Sequence, residues 1–291
     1  MLASLIDRTL PLRAVEIMRR RVTVDHLGRR LRVPVLRGGG TRVWARWRPD
    51  WKTEVLRRTL HNRHGAFVDV GANVGQTLLD FLATRSGSPY IAFEPIPECA
   101  AFLQRVVDWN NLAECRIIPA ALDARASVSR LLVPSDDWSS ATMLVGLRPG
   151  RPARETYVAC VRFDDAWKDL GSPPIGLIKI DVEGAELSAL AGMPEALRAW
   201  RPPILCEVLY ADKEADMSAY AERMGELWLL LKAAEYRVHR IVKAGNQYEG
   251  LREVGEFPLQ RWTAQNGEEC DYLFVPNEQS LPVEPTSLAV R

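Results

Sequence analysis

From residue 66 onward the chain alternates two hydrophobic patterns. Short apolar runs, AFVDVG (66–71), YIAFEP (90–95), CRIIPAAL (115–122), IGLIKIDV (175–182), PPILCEVL (202–209) and CDYLFVP (270–276), read as buried strands. Between them VGQTLLDFLAT, ECAAFLQRVVDWNN, AELSALAGMPEALRAW and MSAYAERMGELWLLLKAAE repeat their apolar residues at helical spacing. Apolar strands alternating with helices predict an α/β fold: a parallel sheet covered on both faces. The alternation lapses between 123 and 163, where ASVSRLLVPS and ETYVACVRF are strand-like and residues 136–151 read as a long loop, either a lid or substrate loop or a disordered segment.

The first 64 residues follow a different pattern. Leu2, Leu5, Ile6, Leu10, Val15, Ile17 and Met18 form one stripe of an amphipathic helix, which Pro11 should kink or break. LRVPVL (31–36) and TRVWARW (41–47), joined by Gly38-Gly39-Gly40, are expected to pair as a hairpin. WKTEVLRRTLHNRH (51–64) is expected to be a short helix ended by Gly65. The expected organisation is a basic extension or cap over 1–64, a main domain over 65–277 and a loose tail over 278–291.

Charge sharpens that division. Of 291 residues, 1–64 hold 16 Lys and Arg against 5 Asp and Glu, a net +11, and the remainder carries −10. The extension has two possible uses: a cap docked on its own acidic domain, or a peripheral contact with an anionic membrane. Pro11 and the direct lead into the first strand favour the cap. No zinc finger or RNA-recognition sequence is present, so nucleic acid is not an expected partner. No stretch approaches the roughly 18 apolar residues of a membrane span, and the N-terminus lacks the uncharged core of a signal peptide. The expected location is cytoplasmic. Five scattered cysteines without a CxxC pair read as small buried hydrophobes, and no metal site is expected.

FVDVGANVGQTLLDF (67–81) carries the strongest chemical signal: a strand, a glycine turn, then a helix. Gly71 permits a tight turn and close ligand approach, and Gly75 lets the helix start near the strand. Asp69 stands near the strand's end. Glu94 follows Gly75 by 19 residues at the tip of the next strand, where a carboxylate can accept both ribose hydroxyls. A second signal is IKIDVEGAELSALAG (178–192), which crowds Lys179, Asp181, Glu183 and Glu186 at the end of a buried strand. Strand ends at this edge are where open α/β sheets bind ligands. Glu186 can instead serve the helix N-terminus. Glu207 ends PPILCEV in the same way.

The spacing D-x-G-x-N-x-G, with Asn73 where a glycine is usual, resembles the first motif of S-adenosylmethionine-dependent methyltransferases. Asp69 and Asn73 could meet the amino-acid end of that ligand. DVGANVGQ, FEP, KIDVEGAE, PILCEV and the late YLFVP, in this order, resemble the FkbM family of these enzymes. The resemblance covers about residues 66–210 well. It implies a Rossmann-like, seven-stranded class I methyltransferase sheet with a reversed last strand, and methyl transfer to oxygen. Family acceptors include polyketide and sugar hydroxyls, so a small-molecule or glycan acceptor is expected. The resemblance carries cofactor contacts onto Asp69, Gly71, Asn73, Gly75 and Glu94, and less securely onto Asp123.

An alcohol needs a base as its oxygen is methylated. Asp181 is the expected one, with Glu183 or Glu207 as alternates and Lys179 orienting the acceptor or balancing the carboxylates. Two other classes stay open: a nicotinamide-dependent oxidoreductase, which Asn73 and the missing third glycine disfavour, and a non-catalytic binding member. His61 and His64, three apart, read as solvated helix residues, and His26 and His239 have no motif. Ser139, Ser140 and Thr142 could line the acceptor site. Trp44, Trp47 and Trp51 could stack a sugar, but core packing is the expected role.

Overall fold

The computed structural model describes residues 20–36, 40–61, 63–134, 141–143, 153–263, 265–267 and 269–281. The predicted N-terminal helix, Gly38 and Gly39, Ser139 and Ser140, and the end of the tail lie outside them. In chain order β1 (Arg21–His26), β2 (Arg29–Pro34), α1 (Gly40–Arg46) and α2 (Trp51–Leu60) come first. The main domain begins with β3 (Ala66–Val70), α3 (Gln76–Thr84), β4 (Tyr90–Phe93), α4 (Pro97–Trp109) and β5 (Cys115–Ile118). It continues with β6 (Ala121–Leu122), β7 (Ser127–Pro134), β8 (Ala153–Val161), α5 (Phe163–Asp169) and β9 (Ile175–Ile180). Then follow α6 (Glu186–Ala191), α7 (Pro194–Trp200), β10 (Ile204–Glu207), α8 (Met217–Ala233), β11 (Tyr236–Ala244), β12 (Gln247–Val254) and β13 (Asp271–Pro276).

The central sheet runs β12-β11-β13-β10-β9-β3-β4-β5. The five strands from β10 to β5 are mutually parallel, and β13 enters antiparallel between β10 and β11. This is the expected α/β sheet with its reversed last strand, but it has eight strands rather than seven. The extra one, β12, folds back on β11 at the edge through the Gly245 turn. Neither β11 nor β12 was predicted, because basic residues interrupt YRVHRIVKA and hide its half-buried alternation. β7 and β8 pair antiparallel in a separate three-stranded sheet with β6.

Alternate residues of the parallel strands feed two cores. Phe67, Tyr90, Ala92 and Leu177 face one, with the buried sides of α3 and α4. Val68, Val70, Ile91, Phe93, Ile178 and Ile180 face the other, with α5, α6, α7 and α8. The N-terminal segment belongs to the first core: Leu31, Val33, Trp44, Val55 and Leu56 are all buried there.

The hairpin expectation needs correction. The paired strands are β1 and β2, turning at Leu27 and Gly28, both at positive φ as a tight two-residue hairpin turn requires. TRVWAR is not a strand but part of α1. Gly40, Val43, Trp44 and Trp47 recur at helical, not alternating, spacing, and that face meets the first core. Trp44 is 2% exposed, and its Nε1 donates to the Val74 carbonyl at 2.6 Å. The three tryptophans are thus packing residues: Trp47 Nε1 donates to Asp80 at 2.9 Å, and Trp51 lies partly buried against the same core.

Candidate active site

β3, β4 and β9 end side by side, and their tips floor an open cleft. In register Asp69 of β3 lies opposite Lys179 of β9, so the two meet by strand pairing alone. The Lys179 ammonium is 3.2 Å from Asp69 Oδ1 and 3.2 Å from Asp181 Oδ2, both as ion pairs. It also donates to the Gly71 carbonyl at 3.2 Å. Tyr90 donates its hydroxyl to the other Asp69 oxygen. Lys179 is 3% exposed; burial works against its charge, but Asp181 and Asp69 hold its pKa above the ordinary lysine value. Asp181 shows the converse. Burial opposes its ionisation, yet Lys179 and Lys52 bring it down to about 2.

The glycine turn is shaped by the same floor. Gly71 has φ +82, and a Cβ there would lie 1.9 Å from the Asp181 carbonyl oxygen, so no other residue fits between the two strand ends. Gly75, at φ +89, is tight against Leu103 and Trp44 instead, so it serves α4 and the N-terminal segment rather than the strand. Asn73 takes the left-handed conformation (φ +48) that its short polar side chain tolerates, which explains why it can stand in a glycine position. Its side-chain oxygen accepts from the Val74 amide at 2.7 Å, and its own amide donates to Glu94 Oε2 at 2.6 Å.

Glu94 closes the turn from the β4 side. Oε1 accepts from the Ile96 amide at 2.7 Å, so each oxygen holds one backbone donor and keeps a lone pair. Glu94 is 2% exposed, and burial lifts its pKa to about 7 against the pull of the two amides.

A row of charged side chains continues across the sheet. Asp69, Lys179, Glu207, Asp271 and Lys243 each stand two residues from a member of the first core, Phe67, Leu177, Leu205, Leu273 and Ile241, so all face α2. The charge of Asp181, with burial, pushes the Glu207 pKa well up. Lys243 pairs with Asp271 at 2.7 Å, and its ammonium lies 4.5 Å from the Trp51 ring centroid. Lys52, from the first turn of α2, lines the cleft beside Lys179 and Asp181. Burial and Lys179 oppose its charge, but Asp181, Asp271 and Asp80 raise its pKa on balance.

The structure therefore gathers Gly71, Asn73, Glu94, Lys179, Asp181 and Glu183 on one cleft, with Asp69 beneath it. Glu183 is at φ +52 in the turn after β9, and its carbonyl accepts from the Thr142 hydroxyl at 2.7 Å. That bond ties Ala141 and Met143 down as a wall of the cleft, opposite the apolar floor of Phe93 and Ile96. Glu186 is buried below, closing its own turn by accepting from the Gly184 amide at 2.7 Å, and burial raises it to about 7. Asp123 does not line the cleft; it follows β6, and its carboxylate accepts from the Ala124 amide at 2.7 Å. His61 and His64 line a separate hollow with Arg57, Arg63 and Arg85. His26 packs at a tilt against Trp47, and His239 is buried near Glu253. The five cysteines are free, and four are buried.

Sequence reasoning missed Lys52, Tyr90, Asp271 and Lys243. None lies in a motif. The alternation of Asp271 with Tyr272–Val275 could have placed it on the polar end of a strand, but only strand order brings it beside Glu207.

Comparison with known proteins adds to this geometry. A curated relative, the 31-O-demethyl-FK506 methyltransferase FkbM of Streptomyces tacrolimicus, is 30% identical over 172 residues, covering 48% of this chain and 64% of its own. The methyltransferase sdnD of Sordaria araneosa is 27% identical over 190 residues, covering 52% and 73%. Among solved structures, a methyltransferase FkbM from Methylobacillus flagellatus aligns with a TM-score of 0.44 at 20% identity, over 78% of this chain and 48% of that one. The chain thus spans about two thirds of the Streptomyces relative and half of the Methylobacillus one. The model of the methyltransferase FkbM domain matches residues 69–238, from the carboxylate beneath the cleft to β11, and the chain belongs to that family.

Proposed function

We propose that the chain is an S-adenosylmethionine-dependent O-methyltransferase acting on a hydroxyl of a small-molecule or glycan acceptor. The observation that carries the cofactor reading is Glu94. It is buried at the tip of β4, fixed by the Asn73 and Ile96 amides, and keeps a lone pair on each oxygen at the cleft's edge. Two ribose hydroxyls match that acceptor pair. The turn at Gly71–Asn73 offers backbone rather than bulk to the ligand, and Phe93 and Ile96 suit a purine. S-adenosylmethionine, when bound, supplies a methyl group activated by the sulfonium.

The protein's part is then to hold the acceptor oxygen in line and receive its proton. Positioning of this kind is worth roughly 7–11 kcal/mol of barrier. Asp181 is the proton acceptor in this reading: it lines the cleft and stays ionised at neutral pH. Its low basicity implies that the proton moves late, once the forming bond has acidified the hydroxyl. Lys179, with three oxygens around three ammonium hydrogens, balances the carboxylates rather than orienting the acceptor. The wall of Leu131, Ala141 and Met143 supports an acceptor with an apolar surface. The name of the Streptomyces relative, which specifies an O-demethyl acceptor, supports a hydroxyl oxygen.

Calorimetry tests the reading. The protein should bind S-adenosylhomocysteine at micromolar concentration. Glu94→Ala should weaken it about tenfold or more, the cost of losing a charge-assisted hydrogen bond. Absent binding to the native chain, or equal binding to the variant, refutes it.

A further inference from the structure

We propose that Lys52, supplied by the N-terminal segment, is the residue that receives the carboxylate of the cofactor's amino-acid end. The inference rests on the cofactor reading above. Among the described residues two cations line the cleft, Lys179 and Lys52, and they differ in what they have left to offer. Lys179 is already engaged: it forms ion pairs with Asp69 and Asp181 and donates to the Gly71 carbonyl, at 3.2 Å each. Lys52, among the described residues, has neither an ion pair nor a side-chain hydrogen bond. Its ammonium lies 5.6 Å from the Trp51 ring centroid, on the wall of the cleft.

The position of Lys52 is fixed against the glycine turn. Asp50 caps α2 and accepts from the Lys52 amide at 2.8 Å. Thr53, the next residue, donates to Asp80 of α3 at 2.7 Å, and Trp47 donates to the same carboxylate at 2.9 Å. The first turn of α3, Gln76 and Thr77, lines the cleft beside Lys52. Lys52 is thus locked to the element that carries the cofactor turn, and not to the Ala141–Met143 wall.

The two ends of the cleft differ in kind. Around β4 and β5 the lining is apolar, with Ile96, Ala120 and Leu122; over β3 and β9 it is charged. A ligand held at its ribose by Glu94 places its purine on the first part and its zwitterionic arm on the second. There the carboxylate of the arm would meet Asp181 and a Lys179 already paired with two carboxylates. Lys52 is the cation able to offset that repulsion and donate directly.

Two ligands on one variant test this. S-adenosylhomocysteine carries the amino-acid arm, whereas 5′-methylthioadenosine keeps the nucleoside and lacks the arm. In calorimetry on the full chain, Lys52→Met should weaken S-adenosylhomocysteine about tenfold or more and leave 5′-methylthioadenosine within twofold of wild type. Lys52→Arg, which keeps the charge, should retain most of the preference for the longer ligand. Equal weakening of both ligands, unchanged binding of both, or loss of the preference in Lys52→Arg overturns the assignment. A wild-type chain that binds neither ligand overturns the cofactor reading itself, and this one with it.

Discussion

Glu94 and Asp181 are two carboxylates on the floor of one cleft, both at the ends of parallel strands, yet their acidities are pushed in opposite directions. Glu94 is held by two neutral backbone amides, and the smaller opposing effects of Asp69 and Lys179 leave burial to win, so its pKa rises to about 7. Asp181 faces the ammonium groups of Lys179 and Lys52; opposite charge wins and it falls to about 2. Burial alone therefore does not decide the state of a carboxylate. The number of cations that the fold brings within reach does. Glu94 can change its protonation as a ligand arrives near neutral pH, whereas Asp181 stays ionised throughout.

The sharpest test on the Asp181 side is Asp181→Asn. If this group takes the acceptor's proton, turnover should fall by roughly 10²–10⁴ while S-adenosylhomocysteine still binds. Unchanged turnover would move the role to Glu183 or Glu207, or to no base at all.

Lys179→Met attacks what makes Asp181 differ from Glu94. It leaves the buried Asp69 and the partly exposed Asp181 beside each other without their shared cation. Breaking a buried ion cluster in this way costs roughly 3–5 kcal/mol of stability. Urea denaturation should show the loss as a lower midpoint; a midpoint equal to that of the wild type would mean that the cluster is not held together by Lys179.

The smallest effect lies on the Glu94 side. Its folded pKa is above its unfolded value, so its contribution to the stability of the ligand-free protein is complete below about pH 4.5 and is lost as pH rises through about 7. Ribose hydroxyls that donate to Glu94 favour its ionised form. Affinity for S-adenosylhomocysteine should therefore rise about tenfold between pH 6 and 8, as the ionised fraction grows. Glu94→Gln should flatten that profile, and Asp181 should contribute nothing to it. An affinity that is flat in the wild type would remove the contrast between the two groups.

Much of this was legible in the chain. DVGANVGQ and FEP announce the strand, the turn and the carboxylate at the next strand's tip because their chemistry is local: a turn needs glycine within a few residues, and Glu94 sits at a fixed spacing. KIDVEGAE was legible as a charged strand end for the same reason. Asp123 followed from motif position alone, and the structure turns it onto its own backbone. TRVWAR was misread because six residues with three aromatic or branched members fit both periods, and only the need to bury Trp44 beside Val74 selects the helix.

The sequence by itself thus determined the α/β alternation, the glycine turn and the two carboxylate-bearing strand ends, since each is a short-range pattern of burial and turn chemistry. The tertiary structure alone decided the charge of those carboxylates and the company they keep. Strand order sets Asp69 against Lys179 across 110 residues of chain and Glu207 beside Asp271 across 64. The docking of α2 on the first core brings Lys52 to the cleft from a segment without a motif. Electrostatic interactions depend on distance in space and on the loss of water, and neither is written in the spacing of residues along the chain.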